Sequence, residues 1–465
     1  MKNVKMRLLP VLFAAFFVQA CANDQEPLGD IINDLDDITN DISIEGNGIV
    51  HVWTDLLLEL ERYSAGRPNA SARSLAYIYL ATYETVVPGL DNYRSLDDEL
   101  RGLRIRNGER ADEVDYQVAL NACFAKVVDH FLLNVSEART SAIAALKAEI
   151  DLQLSTNMDA QLISDSQAWG EYVADQVIAY SQTDEEAEAQ ILDPQPADYE
   201  PPTGDGFWTY SADPERALYP YWGETARSFV ISPRQTTAVD PIPYSEDPES
   251  DYFAEMMEVY VENNAAREAD GEQLWIAEFW SDDVEGLMMS PPARQVAIAN
   301  QLIEQYELTL AESLALYVKL GFALNDAAVA AWKYKYEFMV MRPNVYIHEF
   351  IDPDYQTNLF RLVFWPNPSF PGYPSGHSTF ASAAGGVFID AFGDATNFTD
   401  RTHEGRTEFR SAPRTFSSFS QMAEENAFSR IPLGVHIRMD CVEGLRLGYE
   451  IADAINRVDL FDPAN

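Results

Sequence analysis

The sequence predicts a mainly α protein, and three observations carry that prediction. Apolar residues recur at helical spacing through residues 49–182 and again from Tyr252 to the end. Runs with the alternation of strands are sparse. Between the two helical stretches, segment 183–250 contains Pro194, Pro196, Pro201, Pro202, Pro214, Pro220, Pro233, Pro241 and Pro243, which break any long helix. At 465 residues, 47% of them hydrophobic, the chain can bury a large core.

Residues 1–21 read as a targeting segment outside the fold. Lys2, Lys5 and Arg7 form a basic start, and Leu8 to Val18 is a short apolar run. Val18-Gln19-Ala20-Cys21 then resembles a lipoprotein cleavage box, with Gln19 in place of the usual small residue. The reading is an exported outer-membrane or cell-surface lipoprotein with Cys21 as its lipidated first residue. An ordinary secretory signal cut nearby, giving a periplasmic or secreted protein, is the alternative. No later run reads as long and apolar enough to span a bilayer, so a lipid anchor is the expected membrane contact. Residues 22–47 read as an acidic tether carrying Asp30, Asp34, Asp36, Asp37 and Asp41. Ile31, Leu35, Ile38 and Ile42 also allow a short amphipathic turn.

One domain is expected over 48–465. Its first helical half, 48–182, includes Trp53 to Leu60, Leu75 to Tyr83, Val114 to Leu133 and Ala138 to Leu154, whose aromatic stripes suit a core. Arg73 reads as a helix-surface cation. The connection, 183–250, is rich in Phe207, Trp208, Tyr219, Tyr221 and Trp222, too aromatic for a free linker, so it should wrap the helices. The second helical half is 251–465.

Lys and Arg number 32 against 75 Asp and Glu, a net charge of −43, which excludes nucleic acid as a partner. Screening over about 8 Å at physiological salt lets a local basic pocket act against that global field. Of three cysteines, Cys123 and Cys441 remain once Cys21 is assigned to lipid; a disulfide and two buried thiols are both open. No Cys/His spacing suits zinc. His51, His130, His348 and His403 fall outside any motif and read as structural or exposed.

Three blocks in the second half carry chemistry. In Pro374-Ser375-Gly376-His377, Ser375 is a good N-cap for a small-residue helix beginning Phe380-Ala381-Ser382. Ser375, Gly376 and His377 should therefore lie at a helix N-terminus, where free N–H groups favour an anion. A histidine there can move a proton near neutral pH. Upstream, Lys335 and Arg342 are seven apart, about two turns, and read as one face of a helix that Pro343 ends. Downstream, Pro432 and Gly434 break the chain between Arg430 and His436, so the two can converge. His436 and Asp440 then read as i, i+4 on the following helix. Two arginine forks, a lysine, a helix N-terminus and two histidines suit a tetrahedral or trigonal-bipyramidal oxyanion.

These blocks resemble the signature of the superfamily shared by type 2 phosphatidic acid phosphatases, bacterial acid phosphatases and vanadium-dependent haloperoxidases. Their flanks resemble the haloperoxidase branch, closely from about residue 275 to 445. Trp332 and Phe370 stand where that branch lines its halide pocket. Phe279-Trp280-Ser281-Asp282-Asp283 resembles the segment giving the second arginine, Arg430, an aspartate partner, with Asp283 the better match and Asp282 the other candidate. Glu425-Asn426-Ala427-Phe428 before Ser429 also fits. The resemblance implies two packed helical bundles in one large globule, haloperoxidase-like, with the proline-rich segment wrapped between them.

The implied activity is oxidation of halide (chloride, bromide and iodide all open) by hydrogen peroxide, with vanadate as cofactor. His436 would bond the vanadium, and Lys335, Arg342 and Arg430 would neutralise its oxygens. Ser375 and the Gly376 N–H would donate to them, and His377 would be the acid–base group. The alternative is a phosphohydrolase in which His436 attacks a phosphate ester, His377 protonates the leaving alcohol and Asp440 orients His436. A third reading is a surface lipoprotein that only binds oxyanions.

Overall fold

The computed structural model describes residues 46–63, 67–105, 113–132, 136–210, 215–282, 284, 286–361 and 367–461. Cys21 with the rest of the targeting segment, most of the tether, and Asp283 lie outside them. The fold is mainly α, with one two-stranded antiparallel sheet among the described residues.

The first bundle is built from α1 (Gly48–Glu61), α2 (Arg67–Val86), α3 (Tyr116–Phe131), α4 (Glu137–Leu154) and α5 (Ala160–Gln182). Asp115 and Asp159 cap α3 and α5 by accepting backbone N–H groups, as helix starts require. After α6 (Glu185–Leu192) the described residues are largely irregular up to 250, apart from the one-turn α7 (Trp222–Thr225). The second bundle follows with α8 (Asp251–Ala269), α9 (Glu272–Phe279), α10 (Pro291–Gln305) and α11 (Leu310–Phe338). It continues through α12 (Pro343–Phe350), α13 (Gly376–Phe392), strands β1 (Phe398–Asp400) and β2 (Arg414–Phe416), and α14 (Phe419–Phe428). A short α15 (Arg430–Leu433) and α16 (Arg438–Asn456) complete it.

Helix α11 joins the bundles: it packs on α2 from the first and on α13 and α16 from the second. A capping box at Thr309 and Glu312 starts it. Contrary to the sequence reading, this helix is long and apolar enough to cross a bilayer, but 89% of its most apolar window is buried inside the fold. Small residues allow the tight second bundle. A Cβ at Gly448 would come 2.0 Å from Ser382 Oγ, and one at Gly444 2.6 Å from the Ser375 carbonyl, so α16 lies directly against α13.

The proline-rich segment lies on α11. Trp208, Tyr219 and Trp222 are buried, Trp208 N–H donates to the Met339 carbonyl, and Leu218 N–H donates to the Ser369 carbonyl. Asp326 of α11 accepts the N–H groups of Phe229, Val230 and Ile231 at 2.7–2.9 Å. Arg73 is not a surface cation. It is 2% exposed, paired with Glu188 at 2.8 Å and Asp184 at 3.6 Å, because α6 folds back over α2. Cys123 and Cys441 are two free, buried thiols, and burial raises both.

Candidate oxyanion site

Four chain segments meet around the N-terminus of α13. Ser375 is its N-cap, with Oγ accepting Ser378 N–H and its own N–H donating to the Asp440 carbonyl at 2.9 Å. The N–H groups of Gly376 and His377, in the first turn, have no acceptor within the helix. Gly376 packs against Trp332, since a Cβ there would lie 3.5 Å from the indole. The Tyr373–Pro374 peptide is cis.

Lys335 and Arg342 do not share a helix. Met339 takes a left-handed conformation (φ 51°) that ends α11, and Pro343 begins α12 instead of ending a helix. Arg342, the N-cap of α12, is thereby swung back towards the site. Both side chains are fully buried. Lys335 Nζ donates to the carbonyls of Pro371 (2.9 Å), Gly372 (3.0 Å) and Pro374 (2.5 Å). All three ammonium donors are thus used, so Lys335 organises the loop before Ser375 and acts on an anion through its charge. Arg342 Nε donates to the Phe370 carbonyl (2.9 Å), and Nη1 to the Val435 carbonyl (2.8 Å) and to His436 Nε2 (3.1 Å). Its Nη2 is buried with no acceptor.

The break between Arg430 and His436 is present: α15 stops at Gly434, whose φ of 93° suits glycine. A Cβ there would also meet Tyr355 and Asn263. His436 lies two residues before α16, not on it, while Asp440 sits in the first turn of α16. They still pair, with His436 Nδ1–H donating to Asp440 Oδ2 at 2.9 Å. That bond fixes the tautomer and leaves the Nε2 lone pair facing Arg342. Arg430 Nη1 donates to the Trp280 carbonyl at 3.0 Å, with the Ser281 carbonyl at 3.5 Å. His377 Nε2 is 3.2 Å from that same Ser281 carbonyl. A carbonyl only accepts, so this contact places the His377 proton on Nε2 and the lone pair on Nδ1.

Trp332 is one turn before Lys335, and its indole N–H donates to the Leu218 carbonyl at 3.2 Å. Its ring centroid is 4.8 Å from that of Phe370, and Lys335 Nζ is 5.1 Å from the Phe370 ring. The aromatic pair and the cations form one wall. Asp282, 1% exposed, lies 3.6 Å from Arg294.

Buried like charges set the titration of the site. Burial, then the neighbouring Arg342, holds Lys335 well below the usual lysine range. Burial brings Arg342 down to about 9. His436 is held well below 6.5 by burial and by Arg342 and Lys335, and His377 by burial and Arg430. Burial raises the Asp440 carboxyl to about 7 against the pull of Lys335 and Arg342. A bound anion would oppose the mutual repulsion of these cations and favour their charged forms.

Sequence reasoning gave the charged side chains but missed their carbonyl acceptors at Phe370, Pro371, Gly372, Pro374, Trp280 and Val435. It also missed Arg294, buried against the Phe279–Asp282 turn. No local pattern marks a backbone oxygen. An arginine amid apolar helix positions such as Val296, Ile298 and Leu302 was the one available signal for Arg294.

Among the described residues, the fold is helical and Lys335, Arg342 and Arg430 form a buried cationic cluster around the α13 N-terminus. Residues 315–460 match the VCPO second helical-bundle domain. The chain is 24% identical over 478 residues to the vanadium chloroperoxidase of Curvularia inaequalis, spanning 83% of this chain and 78% of that protein. A crystal structure of a bacterial vanadium-dependent iodoperoxidase matches with a TM-score of 0.78 at 26% identity, over 91% of this chain and 99% of that one. A holo-type bacterial vanadium-dependent chloroperoxidase shares the fold, with a TM-score of 0.63 at 14% identity over 86% and 94% of the two chains. The family match thus lies in the second bundle, and the likenesses over most of the chain are to vanadium haloperoxidases in fold.

Proposed function

We propose that the chain is a vanadate-dependent haloperoxidase that oxidises halide with hydrogen peroxide. The observation that carries this reading is a buried pair of cations whose hydrogen bonds leave one donor open, with the Asp440 carboxyl beside them already engaged by His436. Lys335 and Arg342 meet only carbonyls and an imidazole, and Arg342 Nη2 is a buried donor with no acceptor. A buried donor is satisfied by an incoming oxygen. The residues present fit vanadate. Among the described residues no three His, Cys, Asp or Glu cluster as a cation site, whereas three cations and one histidine lone pair suit an oxyanion bonded through a single nitrogen.

When bound, vanadate supplies the electrophilic centre at which peroxide is activated towards halide. Arg342, Arg430 and Lys335 hold its negative charge, and Ser375 and the Gly376 N–H donate to its oxygens. His436 offers Nε2 as the ligand atom, kept there by Asp440 on Nδ1. His377 takes or returns a proton at Nδ1. Trp332 and Phe370 exclude water from the side where halide arrives. Residues 1–21 further suggest export as a lipoprotein anchored through Cys21; release of a Cys21→Ala variant from the membrane fraction tests that.

The deciding experiment adds vanadate to metal-free protein and measures oxidation of chloride, bromide and iodide with peroxide. Halide oxidation that depends on vanadate and is suppressed by excess phosphate is the expected result. A brisk, peroxide-independent phosphomonoesterase that vanadate merely inhibits would overturn the reading in favour of a phosphohistidine enzyme.

A further inference from the structure

Behind the site lies a second buried ionic cluster that the chemistry above does not use. Arg294 of α10 is 0% exposed. Its Nε and Nη2 donate to Asp400 Oδ2 at 3.1 and 2.8 Å, and Nη1 reaches Asp282 Oδ1 at 3.6 Å and abuts His403 Nε2. The other oxygen of Asp400 is taken by Thr402 N–H and Oγ. The guanidinium carbon stands 4.4 Å from the ring centre of Phe279 and 4.8 Å from that of Trp280. His403 Nε2 is 3.2 Å from the Phe279 carbonyl, and burial and Arg294 keep that imidazole neutral. The far edge of Trp280 is held by Glu425, which also grips Arg414 of β2.

The side chains of Phe279 and Asp282 therefore lie against Arg294, Trp280 is shared between Arg294 and Glu425 of α14, and Ser281 Oγ donates to the Ala277 carbonyl. The turn's free carbonyls face the other way. Trp280 O and Ser281 O accept from Arg430, and Ser281 O accepts from His377. Asp282 holds a φ of 35°, a conformation a non-glycine residue keeps only when its surroundings fix it.

We propose that Arg294 is a positioning residue for the oxyanion site, acting through the Phe279–Asp282 turn to place Arg430 and His377. The inference rests on the oxyanion-site reading and not on its redox chemistry. Without Arg294, the carboxylates of Asp400 and Asp282 stay buried with a cation removed, and the turn must move to rehydrate them. Its two carbonyls then no longer hold Arg430, and displacements of about 1 Å in such sites are enough to cost an order of magnitude or more. Lys335 is held by a different loop, at Pro371–Pro374, and is unaffected.

A double-mutant cycle tests this by calorimetric titration of the metal-free protein with inorganic phosphate and with vanadate. Arg294→Met is expected to weaken binding about tenfold in the wild-type background and in Lys335→Met, but less than twofold in Arg430→Met. Arg294→Lys keeps a cation opposite Asp400, so it preserves the fold and should show a smaller loss with the same dependence on background. An equal loss in all three backgrounds, or no loss in a folded Arg294→Met protein, would overturn the proposal. Failure of the wild type to bind either oxyanion would overturn it together with the site reading. Phosphate binding with the expected background dependence, in a protein that oxidises no halide, would sink the haloperoxidase reading and support this inference.

Discussion

Replacing Arg342 by lysine separates fork geometry from bare charge. The guanidinium spends Nε on the Phe370 carbonyl and Nη1 on the Val435 carbonyl and His436, and leaves Nη2 without an acceptor, the donor that the proposed oxyanion would meet. A lysine preserves the charge, so the Coulombic attraction largely survives, but one ammonium cannot occupy all three positions. The lost contact is a charge-assisted hydrogen bond to a buried acceptor, about 1.5–3 kcal/mol. Affinity for phosphate or vanadate should therefore fall by about 10- to 150-fold. Two buried carbonyls also lose their donor, so thermal unfolding should come earlier, and binding must be compared well below the transition. Titration calorimetry at fixed pH gives the number directly. Affinity within about threefold of wild type would show that the site reads charge alone, and the significance given to Nη2 would be wrong. Arg342→Met, which also removes the charge, should bind more weakly than Arg342→Lys.

Three further predictions use other parts of the molecule. His436→Ala should abolish vanadate-dependent halide oxidation while leaving phosphate binding, and Asp440→Asn should weaken vanadate binding by about 10- to 100-fold by releasing the tautomer; loss of phosphate binding in His436→Ala would contradict this division of labour. Trp332→Phe or Phe370→Leu should shift the KM for halide more than the Kd for vanadate, whereas equal losses in both would make the pair packing residues only. The third concerns Asp326, whose carboxyl is raised from 3.8 to about 6 by burial despite the backbone N–H groups it accepts. Because its folded value lies above the unfolded one, its contribution to stability is fully present below about pH 4 and is lost as pH rises through about 6. The loss amounts to about 3 kcal/mol, so Asp326→Asn should remove that pH dependence from urea unfolding. A wild-type-minus-variant difference that is the same at pH 4 and pH 7 would refute it.

The elements that sequence placed well are those whose signal is local. Helical periodicity located α1, α2, α3 and α4 and the resumption of helix near Tyr252, and a serine before a run of small residues located the start of α13. Short motifs also picked out the residues that cluster: Lys335 and Arg342 before Pro343, Ser375-Gly376-His377 at a helix start, and Arg430 and His436 either side of Pro432 and Gly434. Periodicity misled where a single residue changes the path of the chain. Met339 adopts a left-handed conformation without being glycine or asparagine, so the end of α11 carried no sequence mark, and Arg342 was assigned to the wrong helix face. Pro343 is equally consistent with ending a helix and with starting one, and only the surrounding packing chose.

What the sequence by itself determined is the class of fold and the chemical inventory of the site, since both depend on residue type and short-range spacing. What only the tertiary structure decided is the use made of that inventory. All three donors of Lys335 go to the 371–374 loop, one nitrogen of Arg342 stays open, and Asp440 sets the His436 tautomer from the first turn of α16, which begins two residues after the histidine. Arg73, alike in sequence to any helix cation, and Arg294 are buried because α6 and the Phe279–Asp282 turn close over them. The physical reason is that a buried polar group takes whatever partner the packing brings within about 3 Å, and those partners are mostly backbone carbonyls from distant segments, which every residue possesses and no sequence pattern distinguishes.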